Sequence, residues 1–246
     1  MKPIKFGAIV MAFDEEDFLP GVLTRLEKSI PKENIKGIIG APYVTGNWTT
    51  KQIPKIFKKH KIETYEISNM MEHDRRNEAL KRLNCDYTFI VDADEFWIPE
   101  KMQGIMNFIS RLGEVKVSTL KSPFYTYWKT PEWRIDPIEP SRHTVLVKNG
   151  TWFVNNRETN SSVICTWGEP TFHHLSYVGD DLRIRRKMLH CSSQYVTGHT
   201  FLPDWFENVW QAWTPEMTYL HPITPSDYYQ AVKVEPIEEF REKKKK

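Results

Sequence analysis

Tyr87-Thr88-Phe89-Ile90-Val91-Asp92-Ala93-Asp94-Glu95-Phe96-Trp97 is the stretch whose reading decides the fold. Its first five residues are apolar, aromatic or β-branched and have the length of a buried strand, and three acids follow within four positions. Such a run suits a strand covered on both faces, as in the parallel sheet of an α/β protein. Carboxylates at i and i+2 on an extended chain share a face, so Asp92 and Asp94 can ligate one hard cation between them, Mg2+ or Mn2+. Acids after a strand are also ordinary solvated turn residues. Here Phe96 and Trp97 set them against aromatic mass, where unpaired charge is costly and a cation would relieve the cost.

Upstream, Phe6 to Phe13 is an apolar run broken only by Gly7 and predicts a central strand. Asp14 offers a helix cap, and Phe18, Leu19, Val22, Leu23 and Leu26 recur at helical spacing until Pro31. Ile35 to Ala41 predicts a second strand, Lys51 to His60 a helix, Ile62 to Ile67 a third strand, and Met71 to Leu83 a helix leading into the quoted strand. A βαβαβαβ series assembles naturally into a parallel sheet. In an open sheet of this kind the binding crevice lies beyond the carboxyl ends of the strands. The expectation is a nucleotide pocket formed by Phe13-Asp14-Glu15, Ala41-Pro42-Tyr43 and Asp92-Ala93-Asp94, with a metal at its floor.

Downstream, a helix runs from Pro99 to about Leu112. Val115 to Leu120, Phe124 to Trp128, Thr144 to Val147 and Ser162 to Thr166 then read as strands of a mixed or antiparallel region. Asp180 to Cys191 is a basic helix, and the chain from Pro203 is dense in Trp, Pro and Tyr. With 246 residues the chain can bury one domain and an appendage. The expected division is a catalytic domain over 1–200, with a nucleotide-binding half 1–98 and an acceptor half 99–200, followed by a C-terminal elaboration 201–246.

Charge is close to balanced at a formal +2. The visible excess is Lys243-Lys244-Lys245-Lys246, so a nucleic-acid partner has no compositional support. Cys85, Cys165 and Cys191 are far apart and form no Cys-x-x-Cys pair, which fits reduced thiols of a cytoplasmic protein. The opening Met1-Lys2-Pro3-Ile4-Lys5-Phe6 lacks the apolar core of a signal peptide, and no stretch approaches the roughly twenty apolar residues of a membrane span. Nine tryptophans leave peripheral membrane contact open. Trp205, Trp210, Trp213 and Tyr219 suit either a cover over the cleft or a homo-oligomer contact.

In order along the chain, these segments resemble glycosyltransferases of the GT-A fold, nearest the family 2 group, over roughly Ile4 to His190. In that family an Asp-x-Asp motif holds a divalent ion on the diphosphate of a nucleotide sugar, and Asp92-Ala93-Asp94 matches it. The opening strand often ends in a segment like Asn-Glu-Glu, here Asp14-Glu15-Glu16. A helix before the metal strand commonly carries Ala-Arg-Asn, here Arg75-Arg76-Asn77-Glu78-Ala79. The chain departs from the family after the second strand, where an acid for the nucleobase and a Ser/Thr-Asp-Gly-Thr turn are replaced by Ala41-Pro42-Tyr43-Val44-Thr45-Gly46-Asn47. Tyr43 is then the residue placed to stack on a base. The resemblance implies an α/β fold with a mostly parallel central sheet and a mixed later part. It also implies Mn2+- or Mg2+-dependent transfer of a sugar from a nucleotide-diphospho-sugar to a carbohydrate or other hydroxyl-bearing acceptor, with inversion expected.

The remaining site residues follow from that frame. Arg76 and Asn77 would point into the cleft, Arg76 making a bidentate contact with phosphate, while Arg75 reads as a wet helix face. Thr171-Phe172-His173-His174-Leu175-Ser176-Tyr177 resembles a late His-bearing segment of related transferases, and His174 is favoured over His173 as third metal ligand. Arg186, with Arg183, Arg185 and Lys187, can help neutralise a diphosphate, although most of a charge run is solvated. Glu158 and Asp181, with Asp180 beside it, are the candidate bases for the acceptor hydroxyl. Phe124-Tyr125-Thr126-Tyr127-Trp128 and Trp133 suit an acceptor platform or core packing equally. Two other functions compete: a nucleotidyltransferase, which would more naturally show a glycine-rich phosphate loop that Ala8 to Phe13 lacks, and a non-catalytic carbohydrate-binding or scaffold protein of the same fold.

Overall fold

The computed structural model describes residues 3–40, 52–67, 70–112, 117–190 and 202–241. Tyr43, Cys191 and the terminal lysines lie outside the described residues. The chain divides into two compact units that interleave in sequence: Met1–Ser122 with Arg142–Phe172, and Pro123–Ser141 with His173–Lys246.

The first unit is built on a seven-stranded sheet. Its first four strands are β1 (Phe6–Ala12), β2 (Ile35–Gly40), β3 (Glu63–Ile67) and β4 (Tyr87–Asp92), separated by helices α1 (Leu19–Leu26), α2 (Ile53–His60) and α3 (Glu72–Lys81). A short strand β5 (Glu95–Trp97), helix α4 (Pro99–Arg111) and strands β6 (Thr119–Ser122), β8 (His143–Lys148) and β9 (Ile164–Thr166) follow. The strand order is β3-β2-β1-β4-β8-β6-β9. β1 lies parallel to both β2 and β4, and β8 runs antiparallel to β4 and β6. The α/β, mostly parallel architecture with a mixed later part, implied by the GT-A resemblance, is the architecture found.

Apolar runs without alternation become central strands because both sheet faces are covered. Ala8, Ile9, Val10, Phe89, Ile90 and Val91 are all fully buried. A Cβ on Gly37 would stand 2.6 Å from the Phe57 ring, so glycine there lets α2 lie directly on β2. Winding proceeds from β1 outward to β3, and β4 then adds on the other flank of β1. The order reverses between β1 and β4, the position where open α/β sheets bind ligands.

The predicted helix cap at Asp14 is corrected. The helix begins at Leu19 with Phe18 in the cap position and no side-chain cap, while the Glu15 carbonyl accepts the N–H groups of Phe18 and Leu19. Asp14 instead adopts a left-handed backbone, φ 53°, at the turn out of β1.

In the second unit, strands β7 (Tyr125–Asp136), β10 (Phe172–Val178, which starts at the boundary) and β11 (Gln230–Lys233) run in the order β11-β7-β10. Helix α5 (Asp181–His190), a π-helical turn Phe206–Gln211 and a short helix α6 (Glu238–Arg241) complete it. Its core is Trp128, Ile135, Ile184, Trp205, Phe206, Trp210, Leu220, Tyr228 and Ala231. Trp128, Trp205 and Trp210 pack in pairs with ring centroids 5.2 to 6.3 Å apart. Phe124, Tyr127 and Trp128 are buried as well, so for these residues the core reading prevails over an acceptor platform. Among the described residues no helix is long and apolar enough to cross a membrane.

Candidate active site

The acidic stretch leaves β4 as a turn, not as an extended chain. The Asp92 N–H donates to Glu95 Oε2 at 2.9 Å, and the Ala93 N–H donates to the Met11 carbonyl at 2.8 Å, which pins the turn to β1. Asp92 and Asp94 therefore do not share a strand face, and the carboxylate that joins Asp92 is Glu95. Asp94 is nearly buried and Glu95 wholly so.

Two guanidinium groups close on Asp92. Arg76, fully buried on α3, donates from Nη2 to Oδ1 at 2.9 Å and Oδ2 at 3.2 Å. Its Nη1 contacts the Asn156 carbonyl and the Glu72 carboxylate. Arg157, from the segment after β8, donates from Nη2 to Asp92 Oδ2 and to Glu95 Oε1, both at 2.6 Å, and from Nη1 to the Thr144 carbonyl at 3.0 Å. His143 places Nδ1 3.5 Å from Glu95 Oε1. Where the sequence placed a bidentate phosphate contact, Arg76 reaches both Asp92 oxygens through the single nitrogen Nη2.

The electrostatics match this geometry. Burial pushes the Asp92 carboxyl up, yet Arg157 and Arg76 outweigh it and hold the group well below the usual carboxylate range. Burial disfavours the charged Arg157, while Asp92 and Glu95 more than offset that and raise it. Burial, reinforced by the nearby Arg157, pushes His143 down to about 3, so its ring is neutral at physiological pH.

Asn77 is committed to the backbone. It donates through Nδ2 to the Phe153 carbonyl at 2.9 Å and accepts the Phe153 N–H at 2.7 Å, so its amide clamps the 150s segment to α3. Arg75, expected at the wet surface, is buried against β2. A Cβ on Gly40 would lie 2.5 Å from Arg75 Nη1, and burial lowers the Arg75 pKa. Phe13, Asp14 and Glu15 stand half-buried where β1 ends.

Glu158 is exposed and pairs with Lys121 Nζ at 2.7 and 2.8 Å. Within the second unit, Asp181 accepts Trp210 Nε1 at 3.0 Å and Gln211 Nε2 at 2.6 Å; the bonds from Gln211 and then Trp210 lower its pKa. That carboxylate joins α5 to the π-helical turn and is ill suited to take a proton. His174 stands edge-on to Phe124 at 5.3 Å, and His173 stacks on Tyr125 and lies 2.9 Å from the Tyr127 hydroxyl. Arg186 is half-buried on α5, where Arg183 donates to the carbonyls of Ser176 and Val178.

These donors do not fit a divalent ion at Asp92. Both carboxylate oxygens already accept guanidinium N–H groups, and a cation at the usual coordination distance of about 2.0–2.6 Å would lie against those positive charges. Among the described residues no group of three or more His, Cys, Asp or Glu is arranged to hold a metal. Sequence reasoning missed Glu95, Arg157 and His143. The available signal was one of charge: acids at the end of a buried strand require a counter-charge, and Arg157 is the one basic residue between Thr151 and Trp167.

No protein-family model matches the chain, and no curated relative does. Among solved structures it is similar to S. aureus TarS in complex with UDP, at 14% identity and a TM-score of 0.49, over 78% of this chain and 66% of that one. It is also similar to glucosyl-3-phosphoglycerate synthase from Mycobacterium tuberculosis, crystallised with Mn2+, UDP and glucosyl-3-phosphoglycerate, at 10% identity and a TM-score of 0.41 over 49% and 44% of the two chains. A cytidylyltransferase from Leptospira borgpetersenii is similar at 19% identity and a TM-score of 0.39 over 48% and 54%. The chain spans 63% of TarS 1-349 and 38% of the longer TarS chain.

Proposed function

We propose that the chain is a glycosyltransferase that draws its sugar from a nucleotide-diphospho-sugar. The observation that carries this reading is the reversal of strand order between β1 and β4, with Phe13-Asp14-Glu15 at the end of one strand and Asp92-Ala93-Asp94-Glu95 at the end of the other. The motif order that resembles family 2 supports it. The donor binds in that crevice, with Phe13, Asp14 and Glu15 along its β1 side. An acceptor hydroxyl attacks the anomeric carbon, the bond from that carbon to the diphosphate oxygen breaks, and the nucleoside diphosphate leaves.

Glu158 is the carboxylate retained as base. It is the exposed member of its pair with the mostly covered Lys121, so an acceptor can reach it and the acceptor proton has an oxygen to move to. Asp181 is set aside because its oxygens are engaged by Trp210 and Gln211. No step is routed through a divalent ion, because the donors around Asp92 do not fit one.

A second reading, a carbohydrate-binding protein without turnover, is favoured by one observation. An open groove of about 560 Å³ along α3 is lined by Met70, Asp74, Asn77, Glu78, Lys81 and the half-exposed Trp152. An aromatic face beside hydroxyl acceptors suits a sugar ring. The two readings separate on turnover. A panel of nucleotide sugars is incubated with the full chain and with mono- and oligosaccharide acceptors, and release of nucleoside diphosphate is measured. Acceptor-dependent release supports the transferase. Saccharide binding without release supports the second reading, and thermal stabilisation by neither class of ligand overturns both.

A further inference from the structure

We infer that Asp92 is the anionic centre of a structural lock and not the ligand of a divalent ion. The inference draws on the transferase reading only for the expectation that a cation takes part at all. The lock joins three segments far apart in sequence: α3 through Arg76, the acidic turn through Glu95, and the segment after β8 through Arg157. The paired hydrogen bonds between Asn77 and Phe153 lie one residue along α3 from Arg76 and hold the same segment. The Arg76 guanidinium also lies 5.7 Å from the centre of the Phe153 ring.

Charge compensation separates a lock from a metal site. A carboxylate kept for a cation carries an uncompensated burial cost when the cation is absent, so its removal leaves the metal-free protein as stable or more so. Asp92 is already compensated by two guanidinium groups, and its removal would leave Arg76 with Glu72 alone and Arg157 with Glu95 alone, two buried cations each short of one carboxylate partner. The two assignments therefore predict opposite signs for one measurement. Conversely, a cation that displaced either guanidinium from Asp92 would take one of its two carboxylate partners from a charge that burial makes costly. Arg76 is fully buried, and the Arg157 side chain is only 11% exposed.

The test uses the full chain and its variants Asp92→Asn and Arg157→Met. Melting is followed by calorimetry in a chelator, and Mn2+ binding is followed by electron paramagnetic resonance titration. Both variants are expected to melt about 10 °C below the wild type in chelator. The Mn2+ titration of Asp92→Asn is expected to superimpose on that of the wild type, whether the wild type binds the ion or not. The inference is overturned if Asp92→Asn melts at or above the wild type in chelator, or if it loses tenfold or more of the wild-type Mn2+ affinity. Should Asp92→Asn not fold, wild-type crystals soaked in Mn2+ decide. An anomalous peak within about 2.6 Å of an Asp92 oxygen overturns the lock, whereas a peak elsewhere or none supports it. Failure of the transferase reading is a different result, absence of nucleotide-sugar turnover with every cation, and it leaves these melting and binding outcomes unchanged.

Discussion

The first unit buries ionised groups at the end of β4, and the second buries tryptophans; each solves a different problem. Around the half-buried Asp92, the side chains of Arg76, Arg157 and Glu95 are buried or nearly so, and the contact is specified by hydrogen-bond direction and charge sign. Around Trp128 it is filled by ring faces and edges, with Trp205 Nε1 donating to the Leu220 carbonyl at 2.8 Å. An ion pair in low dielectric returns little net stability, because desolvation consumes most of the attraction, but removing one partner is severe. An aromatic cluster gains in proportion to the area it covers and is sensitive to volume. The first region should therefore respond to partner matching and the second to size.

The largest effect is expected for Trp128→Ala, which removes a fully buried ring that touches Tyr177, Trp205 and Trp210. The loss is about 4 kcal/mol, and no second substitution to a small residue restores it. Arg76→Met should follow at about 3 kcal/mol, because it leaves the half-buried Asp92 with one fewer donor and Glu72 without its partner. The double variant Arg76→Met with Asp92→Leu should recover part of that loss, since a matched apolar replacement removes the stranded charge. Chemical denaturation of the wild type, Arg76→Met, Asp92→Leu and the double variant checks the comparison: full additivity in the charged region would show that the pair does not act as a unit.

A smaller effect is expected from pH. The folded pKa of His143 is pushed down to about 3 from an unfolded value near 6.5. Between those values the unfolded chain binds a proton that the folded chain refuses, so stability is full above about pH 6.5 and falls as pH drops toward 3. Asp92, held low by its arginines, adds a loss in the same direction below about pH 4. About 2 kcal/mol should be lost between pH 6.5 and pH 4, after allowance for the quarter of the imidazole that reaches solvent. His143→Gln should flatten that slope. Denaturant midpoints at half-unit pH steps measure it, and an unchanged slope would mean that His143 takes up its proton equally in the folded and unfolded chains.

The fold was legible in the sequence because unbroken apolar runs and their helical separators can be assembled in few ways. Phe6 to Phe13 and Tyr87 to Val91 became neighbours, with Met11 opposite Asp92. The acidic turn was located correctly, but its partners were not. The i, i+2 rule assumes an extended chain, and the bond from the Asp92 N–H to Glu95 ends the strand at Asp92. Arg157 lies 65 positions from Asp92, and no local periodicity encodes that distance. Trp205, Trp210, Trp213 and Tyr219 were read as a cover over the cleft or a homo-oligomer contact, because Pro, Tyr and Trp without a period give no sign of what they pack against. Trp205 and Trp210 are instead core because Trp128 and Ile184, from other elements, complete the cluster.

Glu158 tests the opposite extreme, a charged contact that should matter little for folding. Its carboxylate bonds to Lys121 Nζ at 2.7 and 2.8 Å, but more than half of the Glu158 side chain is exposed. Water and salt screen such a pair, and its contribution is at most about 1 kcal/mol. Glu158→Gln should therefore shift the melting temperature by about 2 °C or less, far below the shift for Arg157→Met, although Arg157 is the adjacent residue. If Glu158 takes the acceptor proton, the same variant should lower the turnover number by about 100-fold while leaving the KM for the nucleotide sugar near its wild-type value. A loss of stability equal to that of Arg157→Met would place Glu158 inside the lock. Unchanged turnover in a variant that melts normally would remove it from the chemistry. The contrast between neighbouring residues thus separates charge that holds the fold from charge that is free to act on a substrate.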